Sequence, residues 1–119
     1  SQTEVPSRFG AIYFGSTSPA MQEAIVSLHD QSIPLDTLRV RAFPFPDSVR
    51  EFIDAHESVF VIEQNRDGQL RNLLINEFGI DPVRLVAVLH YDGTPITARF
   101  IADAIASRAR PVEQREKVA

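Results

Sequence analysis

The chain has 119 residues, which fits one domain with a single buried core. Hydrophobic residues at 44% and charged residues at 24% are ordinary globular values and point away from disordered and membrane classes. A formal net charge of −4 argues against a nucleic-acid partner, because neutralising phosphates needs a basic face. There is no signal-peptide pattern, and no apolar run approaches the roughly 18 residues of a membrane span. A cytoplasmic protein with no membrane partner is therefore expected. The first residue is Ser1 rather than methionine, which suggests an excised piece of a longer chain.

The chain contains no cysteine. It cannot form a disulfide, a thiolate zinc site or a cysteine-ligated iron–sulfur cluster, and it has no thiol nucleophile. If the domain serves a redox enzyme, the electron carrier is expected on another domain or subunit.

Residues 9–14, FGAIYF, form an apolar run too short for a helix and read as a buried strand. Ser18 is placed to cap the helix that follows, with Pro19 at its first position and Met21, Ala24, Ile25 and Leu28 on one face. Asp30 and Pro34 close it. Residues 37–43, TLRVRAF, alternate apolar and basic and predict a strand stopped by Pro44 and Pro46. Ser48 and Glu51 have capping-box spacing, ahead of a helix with Val49, Phe52 and Ile53 inward that ends near His56.

Residues 58–62, SVFVI, predict a central strand covered on both faces. Leu70, Leu73, Leu74 and Phe78 mark the next helix, with Gly79 as a left-handed C-cap. A fourth buried strand, 85–89, leads through the turn 90–95 to a helix capped by Thr97. Phe100, Ile101, Ala104 and Ile105 form the face of that helix. The domain is expected over 9–108, with an extension or short edge strand at 1–8 and a polar tail over 109–119.

Strands alternating with helices through short connections imply an α/β three-layer sandwich with a mostly parallel sheet of four to five strands. Right-handed crossovers then gather every strand-to-helix loop at the carboxyl edge of the sheet, where open α/β sheets hold ligands and partners. Ser16, Thr17 and Ser18 belong to the first of these loops and Phe43 and Phe45 to the second. Glu63, Asn65, Arg66, Asp67 and Gln69 belong to the third, and Tyr91, Asp92 and Thr94 to the fourth.

At the first loop, a serine cap on a helix is the preferred reading over an anion site, since neither GxGxxG nor the P-loop pattern occurs. His29 and His56 fall at helix ends and His90 at a strand end, without metal-ligand spacing; only His90 lies beside the loop edge, and a plain surface role is preferred for it. Glu63 ends a buried strand, so its carboxylate needs a partner. As an acid or base it would pair with Asp92 or His90; as structure, which is preferred, it would cap free N–H groups or meet Arg66. Of Phe43 and Phe45, one is expected in the core and one on a contact surface.

In order, GST, RVRAFPFP, VFVIEQNRDGQL and YDGTPIT resemble one family, over Phe9 to Ile105. The resemblance is to the C-terminal domain of the alpha subunit of 2-oxoacid:ferredoxin oxidoreductases, 2-oxoglutarate type. It implies a transketolase C-terminal-like fold whose five strands include one antiparallel edge strand. It also implies a parent enzyme that uses thiamine diphosphate, iron–sulfur clusters and coenzyme A to form an acyl-CoA and reduce ferredoxin. Partners would be the other alpha-subunit domains, the beta subunit and, through the complex, ferredoxin. With no catalytic or metal residue and no cofactor of its own, the domain is expected to be inert alone and to dock through its loop edge. The alternative is a small-anion or coenzyme A-binding, regulatory module in which residues 15–19 and Arg66 contact the anion.

Overall fold

The computed structural model describes residues 8–14, 18–41, 45–64, 67–91 and 94–109, with the side chain of Ser18 left out. The expected extension or edge strand at 1–8 lies outside these residues save Arg8, as does all but Ala109 of the polar tail.

Strand β1 (Phe9–Phe14) leads into α1 (Ser18–Asp30) and strand β2 (Leu35–Val40) into α2 (Asp47–Asp54). Strand β3 (Ser58–Glu63) leads into α3 (Gln69–Phe78). A single 3-10 turn over Pro82–Arg84 precedes β4 (Leu85–Leu89), and α4 (Ala98–Ala109) follows. The four strands form one parallel sheet in the order β2-β1-β3-β4.

Alternation of side chains along the strands splits the core into two layers. Ala11 and Tyr13 of β1 and Phe60 and Ile62 of β3 pack with Met21, Ala24 and Leu28 of α1 and with Ile101, Ala102, Ile105 and Ala106 of α4. The intervening Ile12, Val59 and Val61 pack with Val49 and Ile53 of α2 and Leu70 and Leu74 of α3. Helices therefore cover both faces of the sheet, as the alternation of elements predicts. Buried on both sides, the two central strands need continuous apolar runs, and that is what FGAIYF and VFVI supply.

Four details differ from the sequence expectations. Strand β2 covers 35–40 rather than 37–43. Its ladder with β1 runs from Phe9↔Leu35 to Phe14↔Val40 and stops where the six residues of β1 stop. Helix α2 takes Pro46 as N-cap without a side-chain hydrogen bond, so the Ser48–Glu51 capping box does not form. Pro46 holds φ at −71°, its carbonyl accepts from Val49 N–H at 3.0 Å, and the helix starts one residue ahead of Ser48.

Leu73 is 39% exposed, because α3 is rotated to place Leu70, Leu74, Ile75 and Phe78 inward. Phe100 is 36% exposed, because α4 presents Ala102 and Ala106 to the core layer that holds α1, where small residues permit close approach. Two local expectations hold. Thr97 Oγ1 accepts from Phe100 N–H at 3.1 Å as a helix cap, and Gly79 closes α3 at φ +64°.

Gly10 in β1 meets a tight constraint. A Cβ there would lie 2.8 Å from the Phe52 ring and 3.2 Å from His56 Nδ1. Gly10→Ala is expected to destabilise the domain by about 1–3 kcal/mol, as overpacking of a filled core does. Urea denaturation with an unchanged m-value checks it.

Candidate functional site

Because all four strands are parallel, Phe14, Val40, Glu63 and Leu89 end at one edge, and the strand-to-helix connections follow from there. Strand order reverses direction between β1 and β3, the topological position at which open α/β sheets place ligands.

The side chain that organises the described part of this edge is Glu63. It is 2% exposed, at the end of the central strand β3. Its Oε1 accepts from Leu70 N–H at 2.7 Å and its Oε2 from Arg71 N–H at 3.0 Å. Those are free donors of the first turn of α3, whose own N-cap, Gly68, has no side chain to offer and sits at φ +63°. A carboxylate against a helix N-terminus also opposes the positive end of the helix dipole. The main chain of Glu63 ties in the next strand, its carbonyl accepting from His90 N–H at 2.9 Å. One residue thus locks β3, β4 and α3 together.

Around it, the Asp67 carbonyl accepts from Asn72 Nδ2 at 3.3 Å, while Gln64, Asp67 and Gln69 are exposed. In the fourth loop, His90 Nε2 donates to the carbonyl of Thr94 at 3.0 Å, and its ring meets Phe100 edge-on at 4.9 Å. Tyr91 beside it is 59% exposed and Thr94 is exposed. Phe45, expected as a docking candidate, is buried at 7% exposure against Phe78, with ring centroids 6.4 Å apart. Its neighbour Phe43 lies outside the described residues, as do Ser16, Thr17, Asn65, Arg66 and Asp92.

The structure therefore brings Glu63 and His90 together through main-chain atoms. The Glu63 carboxylate itself is engaged by α3, as the structural reading expects. Among the described residues, no group of three or more His, Cys, Asp or Glu converges to hold a metal ion. No helix among them is long and apolar enough to cross a membrane.

A second polar network occupies the opposite, amino edge, and sequence reasoning missed it. His56, read from sequence only as a helix-end residue, is just 5% exposed. Its Nδ1 donates to the Phe52 carbonyl at 2.7 Å and its Nε2 meets Asp36 at 2.8 Å, linking α2 to β2. Arg84 donates through one nitrogen to the carbonyls of Ile53 and His56 at 3.0 and 2.6 Å, closing the end of α2. Nothing in the spacing of His56, Asp36 and Arg84 announces this network, since its members come from separate elements. Gly10, a glycine inside an aromatic strand, is the one local signal of a close approach there.

These features define the class: a doubly wound parallel α/β sandwich whose carboxyl edge is built around a buried glutamate. No family model matches the chain. Its homologues are alpha subunits of 2-oxoacid:ferredoxin oxidoreductases. The alpha subunit of 2-oxoacid:ferredoxin oxidoreductase 2 of Aeropyrum pernix is 31% identical over 106 residues, covering 87% of this chain and 16% of that protein. The corresponding subunit of Saccharolobus solfataricus is 26% identical over 111 residues, covering 92% of this chain and 17% of that subunit. The chain thus spans about a sixth of the length of these relatives.

Among solved structures, the fold is shared with 2-oxoglutarate:ferredoxin oxidoreductase from Magnetococcus marinus at a TM-score of 0.78 and 22% identity. That match covers 92% of this chain and 19% of the other. The alpha chain of a probable 2-oxoacid ferredoxin oxidoreductase from Thermoplasma acidophilum gives a TM-score of 0.58 at 22% identity, covering 89% and 91%.

Proposed function

We propose that the chain is a domain of the alpha subunit of a 2-oxoacid:ferredoxin oxidoreductase of the 2-oxoglutarate type. In this reading it is a non-catalytic docking unit of transketolase C-terminal-like fold. The observation that carries the docking role is the binding of the Glu63 carboxylate to two helix N–H groups, which engages the one buried acid among the described residues of the carboxyl edge. The homologous alpha subunits support the family, and the Magnetococcus marinus enzyme, solved with 2-oxoglutarate, coenzyme A and succinyl-CoA, supports the substrate class. The parent enzyme would use thiamine diphosphate, iron–sulfur clusters and coenzyme A. A cysteine-ligated cluster does not fit this chain, which offers no thiolate, so it belongs on another part of the assembly.

Exposed Tyr91, Thr94, Gln64, Asp67 and Gln69 then form the described part of a contact surface toward other domains of the subunit and the beta subunit, with Asn65, Arg66 and Asp92 beside them in sequence. Aromatic side chains such as Tyr91 are favoured anchors of interfaces. Incubating the isolated chain with 2-oxoglutarate, thiamine diphosphate, coenzyme A and a viologen dye is expected to give no dye reduction; turnover would overturn the non-catalytic assignment. Calorimetry with coenzyme A and with inorganic phosphate is expected to give no heat at millimolar ligand. Saturable heat that Arg66→Ala abolishes would assign the edge to anion binding instead.

A further inference from the structure

Among the described residues, strand β2 borders the sheet on the side away from β4 and pairs with β1 alone. Every second residue of such an edge strand directs its backbone N–H and carbonyl away from the sheet. The side chains of β2 divide by face. Leu38 and Val40 pack into the layer of α2 and α3, and Asp36 on that face meets His56 Nε2 at 2.8 Å. Leu35 packs into the layer of α1 and α4, so alternation places Arg39 on that side and, continued past the strand end, Arg41 with it.

Both arginines are exposed. The other described arginines are all engaged. Arg8, Arg50 and Arg99 pair with Glu57, Asp54 and Asp103, Arg71 and Arg84 hold backbone carbonyls, and Arg108 has a partner as well. Arg39 and Arg41 have no hydrogen-bond or ion-pair partner among the described residues. On the opposite face, a cleft of about 270 Å³ lies between the end of β2 and the start of α2, with Leu38, Val40, Phe45, Pro46 and Val49 as its apolar lining.

We propose that the β2 edge takes an extended, acidic segment of a partner protein as an added strand. Arg39 and Arg41 stand one strand repeat apart, so carboxylates at every second residue of an extended chain meet both guanidiniums. The side chain between those carboxylates falls on the other face and meets the apolar cleft. Main-chain hydrogen bonds give such augmentation its affinity, and the charge pattern gives it selectivity. Charge also sorts the possible occupants. Residues 1–7 of this chain carry one acid, Glu4, and so match only one of the two arginines. A second copy pairing antiparallel through β2 sets four arginines on one face of the joint sheet, where like charges repel.

Fluorescence anisotropy on the chain tests this with two labelled peptides, one alternating glutamate and valine and the other lysine and valine. Residue-resolved amide exchange locates the contact. The glutamate peptide is expected to bind and to slow exchange at alternate amides of β2, and the lysine peptide to do neither. Arg39→Glu is expected to weaken the glutamate peptide by about tenfold. The double variant Arg39→Gln, Arg41→Gln, which reverses no charge, is expected to weaken it as well. Binding of neither peptide, equal binding of both, or binding that neither variant changes overturns the proposal. So does protection of β2 without peptide, either growing with concentration as a dimer forms or vanishing when the chain is shortened to start at Arg8. The contact is read at β2 alone, so its failure leaves the alpha-subunit reading standing, and the reverse holds too.

Discussion

Glu63→Ala is expected to destabilise the domain by about 3 kcal/mol, from the loss of two charge-assisted hydrogen bonds and the stranding of buried donors. For a chain of this size that loss lowers Tm by on the order of 10 °C. The Leu70 N–H decides the magnitude: Leu70 is 1% exposed, so water cannot replace the carboxylate there. Arg71 is half-buried, and its N–H recovers part of the loss through solvent. Glu63→Gln keeps one acceptor but turns an amide N–H toward a backbone N–H, and is expected to cost about 1–2 kcal/mol. Thermal denaturation of both variants gives the order wild type, Gln, Ala. A catalytic carboxylate would behave differently, with Gln abolishing activity of an assembled enzyme at little loss of stability.

Arg84→Met is expected to cost about 2 kcal/mol, by removing the donor that closes the end of α2 and leaving the carbonyls of Ile53 and His56 without it. The figure stays below the sum of its bonds because Arg84 Nε is itself buried without an acceptor, a desolvation cost that Met does not carry. Arg84→Lys keeps the charge at the negative end of the helix but not the planar donor geometry, and should recover less than half of the loss. Denaturant titrations of the two variants check the ranking, and faster amide exchange should appear first at Ala55 and His56, whose N–H groups bond back into α2.

The elements that the sequence reveals are those whose cause is local. Strands β1 and β3 show as short apolar runs because a parallel strand buried on both faces needs them, and β4 shows as an equally apolar run although it is the outermost described strand, with Ala87 exposed. The Thr97 cap and the Gly79 C-cap depend on a side chain and a φ angle within a few residues, so both are visible in one dimension. Helix orientation is different. Leu73 and Phe100 fit an apolar stripe as well as their neighbours do, and only packing against the sheet and α1 decides that they turn outward. The end of β2 depends on the length of β1, and the burial of His56 on Asp36 and Phe52 arriving from other elements.

Glu63 stands between these cases. Its position at the end of a buried strand marked it as needing a partner. The partner proved to be the backbone seven and eight residues on, reached because Gly68 turns the chain through a left-handed conformation. A cap supplied from inside the sheet leaves no S/T-x-x-E pattern to read.

The central claim is that the carboxyl edge holds this domain in a larger subunit assembly rather than performing chemistry. The most direct measurement pairs two readings on Arg66→Ala and Tyr91→Ala: denaturant stability of the isolated chain, and the mass of the assembled alpha–beta complex by light scattering. The account predicts stability within about 0.5 kcal/mol of the wild type, the size usual at exposed positions such as Tyr91, with the complex dissociating at concentrations where the wild type stays whole. Variants that lose stability while the complex still assembles would contradict it.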